Sequence, residues 1–311
     1  MKSKRVAIAL IAVGLATLFI GCAYKRPPWI ATECIEGPLA KSGAVKDEAQ
    51  CVNRSAESFP GADEDYFKDM DYGISKDPQK VVATLEPFVP GISRAPAEAV
   101  KAIVRGRNNW IVWTGGDDKF WDHLNINSQG SFDLLKVLSN HPHLMKNPGY
   151  SRDNRWYWFG LVNEPCFRKN VDAHGNPLGR ADRFGLYLDM RDPNCARDPF
   201  ENEEKYPGVK IGARGKTVPI GSYYGYASGI VGLRLFPNPD FDEAAKKRWD
   251  PERYYTDPSY YNDANLVKPY RVGMSCGFCH VGPNPSNPPK DPENPQWANL
   301  NSNPGAQYFW F

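Results

Sequence analysis

The sequence has 311 residues, 24% of them charged, and a formal net charge of +2; this length allows two domains of ordinary size. Residues 1–21 contain three basic residues and no acidic one, which leaves 35 Lys and Arg against 36 Asp and Glu in the rest of the chain. This balance, without a dense basic run, excludes nucleic acid as a predicted partner. Gly and Pro together make 55 residues, which predicts long ordered loops.

The N-terminus has the pattern of a secretory signal. Three basic residues precede the uncharged, mostly apolar run Val6–Ile20, which is shorter than the about 20 residues that span a bilayer and matches the core of a signal peptide. Gly21-Cys22 follows, and it resembles the lipobox of bacterial lipoproteins. We therefore predict a lipoprotein signal over residues 1–21, a lipid anchor at Cys22 and a location on the periplasmic side of the bacterial cell envelope. A cleaved signal with an unmodified cysteine is the alternative.

Helix patterns outnumber strand patterns in the rest of the chain. Apolar spacing and capping residues predict helices at 62–70, 77–88, 95–106, 114–124, 131–143 and 241–249. Bulky apolar runs predict short strands at 154–162, 182–189 and 223–236. The run 265–273, by contrast, has no convincing strand pattern. We expect a mainly α fold with extensive ordered loops and a few short strands, in three parts: a loop and helix region (22–94), a mixed α and loop region (95–265) and a C-terminal segment (266–311).

The seven cysteines divide into three groups. Cys22 is assigned to the lipid, and Cys276 and Cys279 belong to a motif. The remaining cysteines fall into two neighbouring pairs, Cys34 with Cys51 and Cys166 with Cys195. Because an oxidising compartment permits disulfides, we predict two disulfides in these pairs, although four cysteines allow three connectivities.

The stretch Cys276-Gly277-Phe278-Cys279-His280 carries the most specific chemical signal. A thioredoxin-like dithiol has this spacing, but it needs a strand before it and a helix that begins at the first cysteine. A structural zinc site needs four ligands, usually with a second pair of cysteines or histidines. Haem c needs only two thiols, which add across its vinyl groups, and an adjacent histidine that binds the iron. We therefore predict one covalent haem c, with Cys276 and Cys279 as thioether residues and His280 as the proximal ligand.

The second axial ligand is not fixed by the sequence. No Met or His follows His280, and the upstream candidates are His123, His141, His143, His174, Met70, Met145, Met190 and Met274. His141 and His143 end a predicted helix, where an exposed histidine is favourable against the helix dipole. An open distal face is the alternative, and its pocket would then have aromatic walls from Trp110, Trp113, Phe120, Trp121 and Trp297, for which core packing is the other interpretation.

Charged residues near the motif also have two interpretations. Lys268 and Arg271 can pair with haem propionates or lie at the surface. The carboxylates that stand near aromatic segments are Glu164, Asp117, Asp118 and Asp122. For these four, solvated or helix-capping roles are expected ahead of acid–base work.

Only 31 residues follow the motif. Six prolines between positions 283 and 295 predict an extended, polyproline-like wrap, and the chain ends on four aromatic residues, 308–311. Aromatic side chains favour burial, so we expect the sequence to be a fragment whose haem segment, 266–311, is incomplete. The alternative is a tail that folds back over the motif as a lid.

Three stretches, "NNWIVWTGGDDKFWDHL", "YASGIVGLRLFPNPDFDEAA" and "MSCGFCHVGPNPSNPPKDPENPQWANL", resemble bacterial c-type cytochromes related to rubber oxygenase, distant relatives of the di-haem cytochrome c peroxidases. The likeness covers roughly residues 100–311. It implies a cytochrome c-like attachment segment and two covalent haems, one catalytic towards oxygen or peroxide and one that passes electrons. Cys276, Cys279 and His280 would form the first site, and these 311 residues contain no second one.

Three functions follow. The first is an exported electron-transfer cytochrome whose partners are redox proteins or a small-molecule oxidant and, through Cys22, the membrane. The alternative is a haem enzyme of the oxygenase or peroxidase kind, di-haem in a longer protein, in which case the chain would be a haem-dependent oxidoreductase. The third is a structural or binding lipoprotein whose motif is accidental.

Overall fold

The computed structural model describes residues 62–128, 132–144, 149–201 and 224–309, which all belong to one unit of the chain, 54–311. The predicted signal peptide, the lipid anchor at Cys22 and the pairing of Cys34 with Cys51 lie outside the described residues. Within them, no helix is both long enough and apolar enough to cross a bilayer.

The helices of the described ranges are mostly short. They are α1 (Pro78–Leu85), α2 (Pro96–Val112), α3 (Asp118–Asn127), α4 (Leu134–Val137), α5 (Arg155–Phe159), α6 (Glu243–Arg248), α7 (Pro251–Thr256), α8 (Pro258–Tyr261) and α9 (Gly277–His280). Aspartates begin several of them, because a carboxylate at the N-cap accepts from backbone N–H groups that have no partner within the helix. Asp77 does so for α1 and Asp242 for α6.

The longest helix, α2, lies beside the C-terminal motif. Its start at Pro96 agrees with the prediction, but the helix runs past the predicted end at 106 to Val112. Gly106 does not end it, because its φ is not positive and the backbone remains helical to Val112. One face of the helix is buried through Ala99, Val104 and Ile111.

The largest sheet has three antiparallel strands in the order β3 (Tyr226–Ala227), β4 (Leu233–Pro237) and β5 (Tyr270–Met274). Leu235 pairs with Val272 and Leu233 with Met274. The expectation of no strand at 265–273 is wrong. β5 lacks alternation because both of its faces are buried, and Arg271 lies inside through ion pairs with Asp122 and Asp240.

Two smaller antiparallel pairs complete the strands of the described ranges. β1 (Phe167–Arg168) pairs with β2 (Met190–Arg191), and β6 (Val281–Pro283) pairs with β7 (Leu300–Ser302). Of the predicted polyproline-like wrap, Pro283 ends β6, and residues 284–296 lie in the loop before β7. The sheets are small and antiparallel and the helices are joined by long loops; a cytochrome c-like fold stays a prediction.

Two predicted strands are absent from the described residues. Residues 154–162 contain the helical turn α5, which ends at Gly160 with φ of 65°, since a glycine in the left-handed region ends a helix without a steric cost. Residues 182–189 form only isolated bridges, Arg180 with Leu186 and Ser139 with Leu188. The second bridge also explains why the helix expected at 131–143 ends at Val137.

Candidate haem-attachment site

The motif stands where β5 meets α2. β5 ends at Met274, and the buried Ser275 then joins two neighbours. Its N–H donates to the Gly232 carbonyl at 2.8 Å, and its hydroxyl donates to the Ile111 carbonyl at 2.7 Å. The first cysteine therefore follows a residue that is fixed to both the sheet and the long helix.

Glycines allow α9 to lie against the backbone of its neighbours. A Cβ on Gly277 would stand 3.1 Å from Ile111 Cα and 3.2 Å from the Trp110 carbonyl oxygen. Gly232, with φ of 83°, comes so close to α9 that a Cβ there would lie 2.1 Å from the Phe278 nitrogen. Because a backbone contact cannot be relieved by a rotamer change, this packing fixes the position of the motif.

Both thiols of the motif are free. Cys276 is exposed and Cys279 is half-buried. Burial raises the pKa of the Cys279 thiol, and the neighbouring Cys276 raises it further.

The strand before the motif does not restore the dithiol alternative. β5 lies in an antiparallel sheet, and α9 has only four residues before β6 begins, whereas the thioredoxin pattern is βαβ. The zinc alternative finds no support in the described residues either, where no group of three or more His, Cys, Asp or Glu could hold a metal ion.

His280 has a defined tautomer. Its Nδ1 lies 2.5 Å from the Ala306 carbonyl oxygen, which can only accept a hydrogen bond, so Nδ1 carries the proton and donates. A metal-binding histidine usually donates its other ring N–H in this way, which fixes the orientation of the ring. The arrangement leaves the lone pair on Nε2 available for a metal.

The C-terminal segment folds back onto the motif. The Asn303 N–H donates to the His280 carbonyl and the Tyr308 N–H to the Cys279 carbonyl, both at 2.8 Å. The Tyr308 ring covers Gly282, where a Cβ would stand 2.2 Å from the ring. Phe309 is buried against Phe278, with ring centroids 4.6 Å apart. Residues 300–309 therefore fold back over the motif, as in the second of the two interpretations of the tail. The last two aromatic residues, 310 and 311, lie outside the described ranges.

The predicted distal ligands are spread over the fold. The expectation that His141 is exposed is wrong: it is 3% exposed, its Nε2 lies 3.0 Å from Glu252 Oε2, and its ring stacks on Tyr255 at 4.3 Å. His123, His143 and His174 are exposed, and Met70 is fully buried. Met190 is in β2, Met274 ends β5, and Met145 is not among the described residues.

Trp110 is the aromatic candidate that contacts the motif. Its ring centroid lies 5.6 Å from that of His280. Elsewhere, Trp297 packs against Tyr66 and Phe67, and Trp121 stacks on Phe132. Trp113 and Phe120 are 45% and 58% exposed.

Lys268 and Arg271 are buried and already paired. Lys268 Nζ lies 2.7 Å from Asp122 Oδ1, and Arg271 Nη2 lies 2.5 Å from Asp240 Oδ2. The alternative of surface placement is wrong for both residues, and each cation has a carboxylate partner from the chain itself.

The aspartates near the aromatic segments have partners within the fold or are buried. Asp117 accepts from the Met274 N–H at 3.0 Å and from the Trp121 indole N–H at 2.8 Å, which ties α3 to the end of β5. Asp118 is 1% exposed, and Asp122 pairs with Lys268. A solvated role is therefore wrong for Asp118, and Asp122 is mostly buried, whereas Asp117 stands at the expected N-cap position of α3 without a side-chain hydrogen bond to that helix.

Glu164 belongs to a buried ion network that sequence reasoning missed. The network contains three carboxyls and two guanidinium groups: Glu164, Asp198, Glu201, Arg191 and Arg234. Burial, the largest cause, raises the pKa of Glu164 to about 7, and burial followed by Asp198 raises that of Glu201. An excess of carboxyls over cations in a buried site favours retention of a proton.

The predicted disulfide between Cys166 and Cys195 is confirmed. The Cα atoms are 5.9 Å apart and 29 positions separate the two residues. Cys166 stands two residues after Glu164, and Cys195 stands three before Asp198. The disulfide therefore joins the two segments that carry charges of the ion network.

No protein-family model, curated protein or solved structure matches this chain. The resemblance to rubber oxygenase-related cytochromes accordingly stays a prediction.

Proposed function

We propose that this protein is an exported c-type cytochrome that carries one covalent haem c and transfers electrons. Cys276 and Cys279 would hold the group through thioethers, and His280 would bind its iron. The haem would supply one-electron redox chemistry at the iron. The partners are redox proteins or a small-molecule oxidant in the cell envelope, with the membrane reached through a lipid on Cys22.

One observation carries the proposal. His280 Nδ1 donates to the Ala306 carbonyl, so Nε2 keeps the lone pair that an iron ligand needs. The two thiols that must react are both free, and the more exposed one comes first in the motif. The residues present therefore fit haem c, whereas the antiparallel sheet around β5 lacks the βαβ context of a thioredoxin-like dithiol and the described ranges contain no group of side chains that could hold a zinc ion.

The chain's own residues would do three things at this site. Ser275, fixed to Gly232 and Ile111, holds the first thiol at the end of β5. The Ala306 carbonyl sets the orientation of the imidazole. The Tyr308 N–H donates to the Cys279 carbonyl and so holds the C-terminal segment against α9.

The visible spectrum of the purified protein, expressed with haem c maturation machinery, tests the proposal. A covalent haem whose ferrous form gives the two sharp bands of a low-spin, six-coordinate iron is expected for an electron carrier. A high-spin ferric spectrum would favour the oxygenase or peroxidase alternative. Absence of covalent haem would overturn the proposal and leave a structural or binding lipoprotein.

The role of His280 is tested by His280→Met. Attachment depends on the thiols, whereas the reduction potential depends on the axial ligand. We therefore expect the variant to keep covalent haem but to change both its spectrum and its potential. A variant with the wild-type spectrum and potential would refute the assignment.

The lipid anchor is tested by Cys22→Ser. The expected result is a shift of the protein from the membrane fraction to the soluble periplasmic fraction, because a single acyl-bearing residue is lost. If the variant stayed in the membrane fraction like the wild type, anchoring at Cys22 would be contradicted. The haem assignment would not be affected.

A further inference from the structure

An open cleft lies between α5, the proline-rich loop 284–296 and the folded-back residues 300–309. Its volume is about 600 Å³, which falls in the range of about 300–1,000 Å³ that is usual for small-molecule sites. Its walls include Asp153, Trp156, Tyr157, Glu293, Gln307 and Tyr308. Neither thiol of the motif lines it, so the cleft is distinct from the haem-attachment site.

Aromatic rings form much of the wall of this cleft. The ring centroids of Trp156 and Tyr308 are 5.7 Å apart, and the two ring planes are inclined by 42°. Tyr157 follows in α5 and is 70% exposed. The face of an aromatic ring carries the negative part of its quadrupole, so it attracts a cation that comes within about 6 Å of the ring centroid.

The charge of the cleft has the same sign as these ring faces. Among the described residues that line it, the charged ones are both acidic, Asp153 and Glu293. Glu293 is held in place, because it accepts from the Trp156 N–H at 3.0 Å and from the Tyr157 N–H at 3.3 Å. Burial raises the pKa of Glu293, and a bound cation would counteract this effect. Two carboxylates beside aromatic faces are suited to an organic cation.

The chain itself places one ammonium group at the edge of the cleft. Lys169 Nζ pairs with Asp153, although Lys169 is not one of the lining residues. The Asp153 side chain is 68% exposed, and an ion pair at the surface is a weak competitor for a ligand. A carboxylate also has about four lone-pair sites, so Asp153 can interact with a second cation.

We propose that this cleft binds a small organic cation with an alkylammonium headgroup, a site that the proposed electron transfer does not require. The headgroup would lie against the aromatic rings, and Asp153 and Glu293 would supply the opposite charge. A neutral sugar, another common ligand of aromatic clefts, would use the hydrogen-bonding capacity of the two carboxylates but not their charge. The cation therefore fits more of what the cleft offers.

Titration calorimetry of the whole protein tests the proposal with two probes of the same shape. Choline carries a quaternary ammonium group, and 3,3-dimethyl-1-butanol has a neutral carbon in its place. We expect saturable binding of choline with one site per chain, about tenfold or more tighter than that of the alcohol, because only the cation is attracted by the ring faces. Equal affinities would overturn the proposal and indicate an apolar cleft. Binding of glucose or cellobiose without choline, or of no probe at all, would overturn it as well.

Substitutions at exposed side chains test the location of the site without a large effect on folding. Tyr157→Leu should weaken choline binding about threefold to tenfold through the lost ring face. Asp153→Asn should weaken it about twofold to fivefold, as expected for an exposed charge. Asp182→Asn is the matched control, because Asp182 is likewise exposed and paired, with Arg180, outside the cleft. Equal effects of the two aspartate variants would contradict a site in this cleft.

A gain of binding is the more specific expectation. Lys169→Gln removes the ammonium group that competes for Asp153, so choline should bind more tightly to this variant than to the wild type. Weaker binding would show that Lys169 itself takes part in recognition and would contradict a site for a cation.

The haem proposal and the cleft proposal can fail separately. Choline binding should be the same in the Cys276→Ala, Cys279→Ala double variant, because neither thiol lines the cleft. Absence of covalent haem from the wild type would therefore overturn the proposed function and leave this site unaffected. Loss of choline binding in a double variant that keeps the wild-type circular dichroism spectrum would overturn the assignment to this cleft.

Discussion

The two cysteine pairs of the described chain have opposite surroundings. Cys276 and Cys279 are free, at or near the surface, on a single helical turn. Cys166 and Cys195 are joined across 29 positions of sequence, beside a buried network of arginines and carboxylates. The first pair is held by backbone contacts on either side of it, and the second pair itself holds two segments together.

The comparison shows that cysteine has two different roles in this chain, which depend on the separation of the pair. A disulfide contributes most where it closes a long loop, because the unfolded chain then loses more conformational entropy. A pair three residues apart closes almost no loop and can contribute little in this way. The free pair is therefore suited to chemistry, and the distant pair to stability.

The largest effect is expected when the first pair, Cys276 and Cys279, is replaced. Cys276→Ala combined with Cys279→Ala should abolish covalent haem entirely, because no other thiol pair of the sequence has a histidine directly after it. The measurement is a haem stain of the denatured protein. The matched control, Cys166→Ala with Cys195→Ala, should remain positive. A positive stain from the first variant would contradict the assignment.

Breaking the second pair should cost stability instead. For a loop of 29 positions, removal of the disulfide is expected to lower the free energy of unfolding by about 3–4 kcal/mol. Urea denaturation of Cys166→Ala with Cys195→Ala measures this, and the spectrum per folded molecule should not change. A loss well below 1 kcal/mol would show that the ion network holds the two segments without the bridge.

The ion network near the disulfide predicts a pH dependence. The pKa of Glu164 is raised by burial to about 7, so the folded state binds a proton that the unfolded state releases near pH 4.5. The contribution of this group to stability therefore falls as pH rises from about 4.5 to about 7, by at most about 3 kcal/mol. Above that range it changes no further.

Glu164→Gln tests this dependence, because an amide cannot titrate. The difference in free energy of unfolding between the variant and the wild type should change in favour of the variant as pH rises through this window. Glu243→Gln, whose side chain is 82% exposed, is the matched control for the change from a carboxylate to an amide. Parallel stability–pH curves for Glu164→Gln and the wild type would rule out Glu164 as the titrating group.

The smallest expected effect concerns the C-terminal segment over the first pair. Gly282→Ala would place a Cβ 2.2 Å from the Tyr308 ring, so the ring must move. We expect a loss of about 1–3 kcal/mol, the usual cost of overpacking, and faster amide exchange at Tyr308. Gly305→Ala, where nothing lies within 4 Å, is the control. Unchanged exchange at Tyr308 would mean that the segment tolerates the displaced ring.

The sequence predicted correctly several features that depend on residues close to one another in the chain. The start of α2 at Pro96, the aspartate N-caps and the neighbouring disulfide pair Cys166–Cys195 all depend on residues close in the chain. β5 was missed because Arg271, a charged residue, is buried there by Asp122 and Asp240, partners that no periodicity reveals.

The surroundings of the site depended on distant partners and were not predictable in the same way. The spacing of Cys276, Cys279 and His280 is visible in the sequence, but the acceptor for His280 is a backbone carbonyl 26 positions away. His141 looked like an exposed helix end and is buried because Glu252 and Tyr255 cover it. Such contacts are set by the tertiary fold and have no local pattern.

The close approach of Gly232 to α9 limits how this chain can vary. In a library with every amino acid at position 232, glycine alone combines φ of 83° with room for the Phe278 nitrogen, so most other members should fail to assemble the turn. At Gly91 a similar φ of 87° meets no neighbour within 4 Å, and asparagine or aspartate should be accepted there. Position 232 should therefore tolerate far fewer substitutions than position 91, although a glycine has no side chain that could take part in the chemistry of the motif.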